Sequence, residues 1–333
     1  MIVINIFFLI IILFFQDRII KFYNNFINIK KVPNTSKKPL LGGFFIIINI
    51  LLYFSLSFDE LNQLFSLNID KYIFLLCCIS IFIIGAYDDL FLLSPSTRII
   101  FISSILFFFL SSIDYYQIFL LKLQFVDYSL SIERISIFFT LFCFVVLINS
   151  INLFDGINGQ SGLYFFQIFL LIYFKGVESQ FIFLLLISLF IFLILNIRNK
   201  IYMGDSGIYL LSFILGVFLI NGYHSGSFTI EEIILLCLVH ILDLTRLFFL
   251  RLFLLKNPFL GDKKHIHHTC IVKYGYFLSI VLIQLHVTIP LIINYFFNFY
   301  CAIIFSLIFY GFLVLSKARL PRKIRDFNFI NFN

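Results

Sequence analysis

Long apolar runs, each ending in a short polar cluster, set the pattern of this chain. The runs predict helices over 2–15, 40–57, 72–87, 99–113, 135–151, 163–174, 181–197, 208–220, 230–255, 277–296 and 299–316. Several are shorter than the roughly 20 residues needed to cross hydrocarbon, so flanking residues must complete them. The runs lack the alternating ten-residue pattern of a membrane barrel. No linker is long enough to separate domains and no internal repeat is visible, so residues 1–333 read as a single domain. The expected fold is an all-α polytopic integral membrane protein with about 10–11 transmembrane helices.

Composition agrees with the pattern. The chain is 62% hydrophobic and 12% charged, with a mean hydropathy of +1.06. A soluble protein carries about a quarter charged residues, and in lipid only helices or closed barrels satisfy their own backbone. The first run lacks a basic leader and a small-residue cleavage site, so it reads as a retained span. Six cysteines (Cys77, Cys78, Cys143, Cys237, Cys270, Cys301) show no metal-type spacing and read as small hydrophobes.

Charge then orients the chain. Alternating the loops across eleven spans puts 20 of the 24 Lys and Arg on one side, leaving Lys71, Lys122, Arg134 and Lys175 on the other. The basic side is cytoplasmic by the positive-inside rule. The N-terminus is then outside, the C-terminus is cytoplasmic, and every polar cluster below faces the cytoplasm. A basic surface of that kind suits membrane lipid headgroups and nucleotide phosphates; no nucleic-acid partner is expected.

The most informative cluster is Asn149 to Gly162, N-S-I-N-L-F-D-G-I-N-G-Q-S-G. Asn149 and Asn152 share a helix face, and Asp155 lies three residues further, which puts two amides and a carboxylate in one column. The glycines that follow allow a tight turn and close approach of backbone N–H groups. Such oxygen ligands suit Mg²⁺ bound with a phosphate; the alternative is a helix C-cap followed by a glycine loop.

Three further clusters fall on the same side. G-A-Y-D-D-L-F-L-L-S-P-S-T-R supplies Asp88, Asp89 and Arg98, with Pro95 fitting the start of the next helix. Neighbours on a helix diverge by about 100°, so the two aspartates should have separate roles, or else simply keep a span end in water. I-Y-M-G-D-S-G-I places Asp205 between glycines in a turn, a weak signal alone. The last cluster runs from Asp243 through Arg246 and Arg251 to P-F-L-G-D-K-K-H-I-H-H. Asp243 lies inside an apolar run, with Arg246 at i+3 as its obvious partner. His265, His267 and His268 could suggest zinc, but no cysteine is near and i, i+2 histidines do not share a helix face. Beside Lys263 and Lys264 they read as an anion-binding loop. Carboxylates, amides, cations and histidines on one face make up the inventory for Mg²⁺-assisted phosphoryl transfer.

These motifs resemble the polyprenyl-phosphate N-acetylhexosamine-1-phosphate transferases, which include WecA-type and TagO-type initiating enzymes and the lipid I translocase. The likeness runs from T-S-K-K-P-L-L-G-G at Thr35–Gly43 to His265–His268 and leans towards the WecA-like branch rather than the muramyl-peptide branch. It implies transfer of an N-acetylated aminosugar 1-phosphate from a UDP-sugar to undecaprenyl phosphate at the bacterial inner membrane, releasing UMP and initiating a cell-envelope polysaccharide. It also implies Mg²⁺ (Mn²⁺ being the alternative) held by Asp205 and Asn152, with Asp155 close by in the catalytic set. Asp88 or Asp89 would orient or deprotonate the lipid phosphate, the resemblance not saying which, and Arg98 would hold that phosphate; Asp89 is preferred on position alone, since at i−9 to Arg98 it emerges further into the loop. Asn149, Arg251, His265, His267 and His268 would bind substrate, the last four at the nucleotide diphosphate. A homodimer is left open.

The chain departs from the family pattern where Leu92 or Leu93 replaces a further acidic residue, Asn158 replaces a second aspartate, and Ile208 replaces a serine. The same chemistry with a deoxyaminosugar or muramyl-pentapeptide donor is the near alternative. A secondary transporter is the remote one, and it would need internal repeats and midplane charges.

Overall fold

The computed structural model describes residues 15–23, 39–57, 65, 67–177, 179–255 and 265–315. The first expected span apart from its last residue, Thr35–Lys38 and Pro258–Lys264 lie outside the described residues. Residues 15–23 are helical and are called α1. After it come α2 (Gly42–Ser57), α3 (Asn68–Phe91), α4 (Pro95–Ser112), the hairpin β1 (Leu120–Leu123) and β2 (Tyr128–Ser131), and α5 (Ser136–Phe154). The remainder is α6 (Gln160–Phe174), α7 (Ser179–Ile197), α8 (Gly204–His224), α9 (Ile230–Phe253), α10 (Ile266–Tyr274), α11 (Tyr276–Phe296) and α12 (Phe299–Leu315). Among the described residues seven helices are long and apolar enough to cross a membrane, and α2, α6 and α12 are shorter apolar helices. The chain is an all-α multi-pass membrane protein, as the hydrophobic pattern predicts.

Two boundaries move in ways that matter. α3 extends to Phe91, so Asp88 and Asp89 lie in its last turn rather than beyond its end. The helix closes there because Leu92 turns left-handed (φ 52°) and the Asp88 side chain accepts the Leu93 N–H at 2.7 Å. α8 begins at Gly204, so G-D-S-G forms a first helical turn instead of a free turn; an aspartate there meets the positive end of the helix dipole. The hydrophobic pattern also misses two elements. The hairpin turns through Gln124–Asp127 without glycine or proline, Asp127 taking the left-handed conformation instead (φ 48°). The nine-residue α10 is too short and polar to give a periodic signal.

The residues cluster into two compact units, each made of separate stretches of chain. The first takes the described residues up to Leu120, Ser131–Asn152 and Ser161–Ser227. Its axis is α8, which is buried at every position from Ser206 to Gly222, as an innermost helix must be. Phe213 on α8 sits among Phe74, Phe109 and Phe144, with ring centroids 5.7, 5.1 and 6.0 Å away. The second unit takes Leu121–Leu130, Leu153–Gln160 and the chain from Phe228. Leu235 and Leu238 of α9 pack there on Ala302 of α12, with Leu291 of α11 and Phe299 alongside. Thr229 and Glu232 start α9 with a reciprocal capping box. Glu231 of that first turn accepts the Phe125 N–H at 3.2 Å and so fixes the hairpin tip.

Candidate active site

Four helix ends of the first unit converge: the last turn of α3, the first of α4, the end of α5 and the first of α8. Ser94 caps α4 by accepting the Thr97 N–H at 3.2 Å, and Pro95 takes the first helical position, where its missing N–H costs nothing. Arg98 follows one turn in and reaches Asp88 Oδ2 at 3.4 Å. The same oxygen accepts the Tyr209 hydroxyl at 2.8 Å, while Oδ1 takes the Leu93 N–H. Tyr209 in turn accepts from Asn152 Nδ2 at 3.4 Å, which ties α5 into the cluster. Arg98 keeps capacity in reserve, since its buried Nε has no hydrogen-bond partner among the described residues.

Asp89 does something different. Its Oδ1 accepts the Asp205 N–H at 2.7 Å and its Oδ2 the Ser206 N–H at 3.1 Å. The residue before α8, Met203, offers no side-chain cap, so Asp89 caps α8 from the neighbouring helix. Gly204 makes this approach possible: its φ is +72°, and a Cβ there would lie 2.6 Å from Asp89 Oδ2. The expected divergence of the two adjacent aspartates is therefore real, with partners on α4 and α8 for Asp88 and on the α8 backbone for Asp89.

The Asp205 carboxylate lies against those of Asp88 and Asp89, with the charge of Arg98 as compensation. Arg98 lies beside these acidic side chains, and Asp89 is also met by the two N–H groups at the start of α8. Among the described residues no group of three or more His, Cys, Asp or Glu side chains is placed to hold a metal ion. Mg²⁺ needs no such group, since it takes one or two carboxylates and leaves its other positions to water and phosphate. Asn152 suits the same role. With Nδ2 committed to Tyr209, its amide presents Oδ1, the atom a hard cation would take. Asn149, one turn earlier, donates Nδ2 to Val145 O at 2.7 Å on its own helix. The expected column of Asn149, Asn152 and Asp155 is shorter than predicted, because α5 ends at Phe154 and the Gly156 N–H folds back onto Phe154 O at 2.9 Å. Asp155 thus stands just past the helix, in the segment assigned to the second unit.

The second unit is organised on Asp243. Its Oδ1 accepts from Arg246 Nη2 at 2.8 Å, from the Tyr310 hydroxyl at 2.9 Å and from the Ile266 N–H at 3.1 Å. Its Oδ2 meets His265 Nδ1 at 2.9 Å. The Asp243–Arg246 pair expected from i, i+3 spacing is present, but it also anchors α10 and orients the first histidine. His265 and His267 stack with ring planes 3° apart and centroids 5.8 Å apart. The helical rule that separates i and i+2 fails here because His265 is the N-cap, with extended backbone (ψ 156°). Both rings are buried, and His268 lies 4.2 Å from His267. Burial, followed by the neighbouring His268 and His265, pushes His267 down to about 3, so it is neutral at physiological pH. A Cβ on Gly156 would overlap the His267 ring, so the Asn149–Gly162 stretch and the histidine motif meet at that glycine. Arg251 is buried in the last turn of α9.

Sequence reasoning missed two tyrosines. Tyr209 had a signal, lying at i+4 from Asp205 and so on the same face of α8. Tyr310, 67 positions from Asp243 in an apolar run, had none.

Residues 72–223 match the profile of glycosyl transferase family 4. The chain is 26% identical over 254 residues to the undecaprenyl-phosphate alpha-N-acetylglucosaminyl 1-phosphate transferase of Salmonella typhi, covering 71% of this chain and 67% of that one. It is 27% identical over 274 residues to the protein of the same name from Escherichia coli strain K12, covering 73% and 69%. The protein of that name from Thermotoga maritima is 27% identical over 215 residues, covering 63% and 65%. The matched span holds Asp88, Asp89, Arg98, Asn152, Asp155, Asp205 and Tyr209.

Proposed function

We propose, for a chain that is a member of glycosyl transferase family 4 through its residues 72–223, that it transfers an N-acetylaminosugar 1-phosphate, N-acetylglucosamine 1-phosphate in the first instance, from its UDP derivative to undecaprenyl phosphate. A lipid phosphate oxygen attacks the sugar-bearing phosphorus, the bond to the UMP oxygen breaks, and undecaprenyl-diphosphate-sugar and UMP result. The observation that carries this reading is the cluster of Asp88, Asp89 and Asp205 beside Arg98, built at helix ends of a membrane protein. Phosphoryl transfer requires mostly positioning and charge neutralisation, which is what such a cluster can supply.

Arg98 binds the lipid phosphate, and Asp88 holds the guanidinium in place while the remaining N–H groups meet the ligand. A phosphate monoester has a second pKa near 6, so the lipid phosphate is largely a dianion at neutral pH and Asp88 acts by orientation more than as a base. Asp205 and Asn152 would hold Mg²⁺, and Asp89 fixes the turn that carries Asp205. When bound, the ion would neutralise diphosphate charge and stabilise the departing UMP oxygen. In the second unit Asp243 orients the His265 ring, and His265, His267, His268 and Arg251 are assigned to the nucleotide diphosphate; Asp155 is assigned to the catalytic set and Asn149 to substrate binding.

The bias of 20 basic residues to four supports a site on the cytoplasmic face of the bacterial inner membrane. The test is purified protein in lipid with labelled UDP-N-acetylglucosamine, undecaprenyl phosphate and Mg²⁺. Label should enter the lipid phase with stoichiometric UMP. No lipid-dependent UMP release with any UDP-N-acetylhexosamine would overturn the assignment.

A further inference from the structure

We infer that Tyr209 is a positioning residue, its hydroxyl holding the Asp88 carboxylate and the Asn152 amide in register with one another. This rests on the transferase reading and assigns a role within that site. Tyr209 is fully buried on α8, flanked by Ile208, Leu210 and Leu211, which are equally buried and purely apolar. A leucine would fill such a position, so the phenol is there for its bonds. A buried hydroxyl needs partners, and this one donates to Asp88 Oδ2 at 2.8 Å and accepts from Asn152 Nδ2 at 3.4 Å. The ring also lies 6.0 Å from the Arg98 guanidinium carbon, within cation–π range. One side chain therefore touches three site residues on three other helices.

The consequence follows from hydrogen-bond inventory. An amide has a donor end and an acceptor end, and fixing Nδ2 fixes where Oδ1 is presented. Without the hydroxyl, Asn152 can rotate its NH₂ group towards the cation site, where it repels the ion. Asp88 keeps the Leu93 N–H at 2.7 Å on Oδ1 and Arg98 at 3.4 Å on Oδ2 but loses the short hydroxyl bond to Oδ2. The effect should fall on the metal and on turnover, while ground-state binding of the UDP-sugar changes little.

The experiment compares wild type, Tyr209→Phe, Asn152→Ala and the double variant, each full length in lipid nanodiscs. Tyr209→Phe should lower kcat about tenfold with KM for the UDP-sugar within about twofold, and raise half-saturating Mg²⁺ several-fold. Mn²⁺ binding followed by electron paramagnetic resonance, without substrate, should weaken in parallel. In the Asn152→Ala background the same change should cost less than about twofold, because the amide it orients is gone. Tyr209→Met gives the same reading should the phenylalanine variant lose its melting transition. Wild-type kcat and Mn²⁺ affinity in Tyr209→Phe, or a full tenfold loss on top of Asn152→Ala, would overturn the role. An inactive wild type would instead sink the transferase reading, while Mn²⁺ binding across the four proteins would still report on Tyr209.

Discussion

The two units each bury aspartate, and they treat its charge in opposite ways. In the second unit Asp243 is answered on every side by Arg246, His265, the Tyr310 hydroxyl and the Ile266 N–H. In the first, Asp88, Asp89 and Asp205 crowd together, and the cation paired with them is Arg98, at a long 3.4 Å. A buried ion pair with all its lone pairs filled holds structure; removing one partner leaves a charge the interior cannot tolerate. A buried excess of one sign is a cost that stays in a fold when a ligand relieves it. The difference separates a structural knot from the site proposed to react, although both consist of aspartate, arginine and tyrosine.

Exchanging charge at the two sites should therefore produce opposite defects. Asp205→Asn should lower kcat by on the order of 10²-fold or more, if it removes the charged metal ligand proposed to act on the transition state. Its melting temperature should hold or rise, because one of three mutually repelling carboxylates is gone. Asp243→Ala should instead destabilise the protein by about 3 kcal/mol, the usual result of stranding a buried partner. Calorimetry and turnover on the same preparations decide the matter. An active, unstable Asp205→Asn or a stable, inactive Asp243→Ala would reverse the assignment of the two sites.

How far this contrast was legible depends on which physical link carried each residue. The spans were readable because lipid requires long apolar runs, and all but the first fall on described helices. Asp88, Arg98, Asn152 and Asp205 were readable as candidates because polar residues at span ends stand out against that background. Their pairing was not: the cap that Asp89 places on α8 crosses 116 positions, and no local pattern encodes a bond of that length. Asp243 and Arg246 were legible as a pair because i, i+3 spacing is local, whereas His265 and Tyr310 join them from 22 and 67 positions away. The stacked His265 and His267 run against the helical rule because the rule applies only inside a helix, and His265 is the residue before one.

Within the first unit the comparison can be sharpened between neighbours. Asp89→Asn keeps one capping oxygen but loses the charge at the N-terminus of α8. It should cost about 1 kcal/mol of stability and lower kcat with Asp205. Asp88→Asn should leave stability within that margin. It should raise KM for the lipid phosphate several-fold, more so at high salt, since it frees Arg98 rather than Asp205. We propose on the contact with Arg98 that Asp88, rather than Asp89, takes the lipid-phosphate role. Matching losses in kcat alone from the two variants would mean that the pair acts as one unit.

The smallest effect belongs to the histidines and follows from the direction of one shift. His267 is held at about 3, mainly by burial, against roughly 6.5 for a free imidazole. Above pH 7 neither the folded nor the unfolded state carries the proton, so His267 makes stability neither rise nor fall. As pH drops through 6.5 the unfolded chain takes up a proton that the folded chain refuses until about 3, and stability declines over that window. The decline is about 1 kcal/mol near pH 6, by linkage. His267→Gln, which removes the titrating group, should flatten that part of the curve, so the gap between wild type and variant narrows as pH falls from 7 to 5.5. Chemical denaturation at four pH values in that range measures it. A gap that stays constant or widens would mean that His267 accepts a proton in the folded protein, and that the histidine motif presents charge to its ligand where the buried geometry presents a neutral ring.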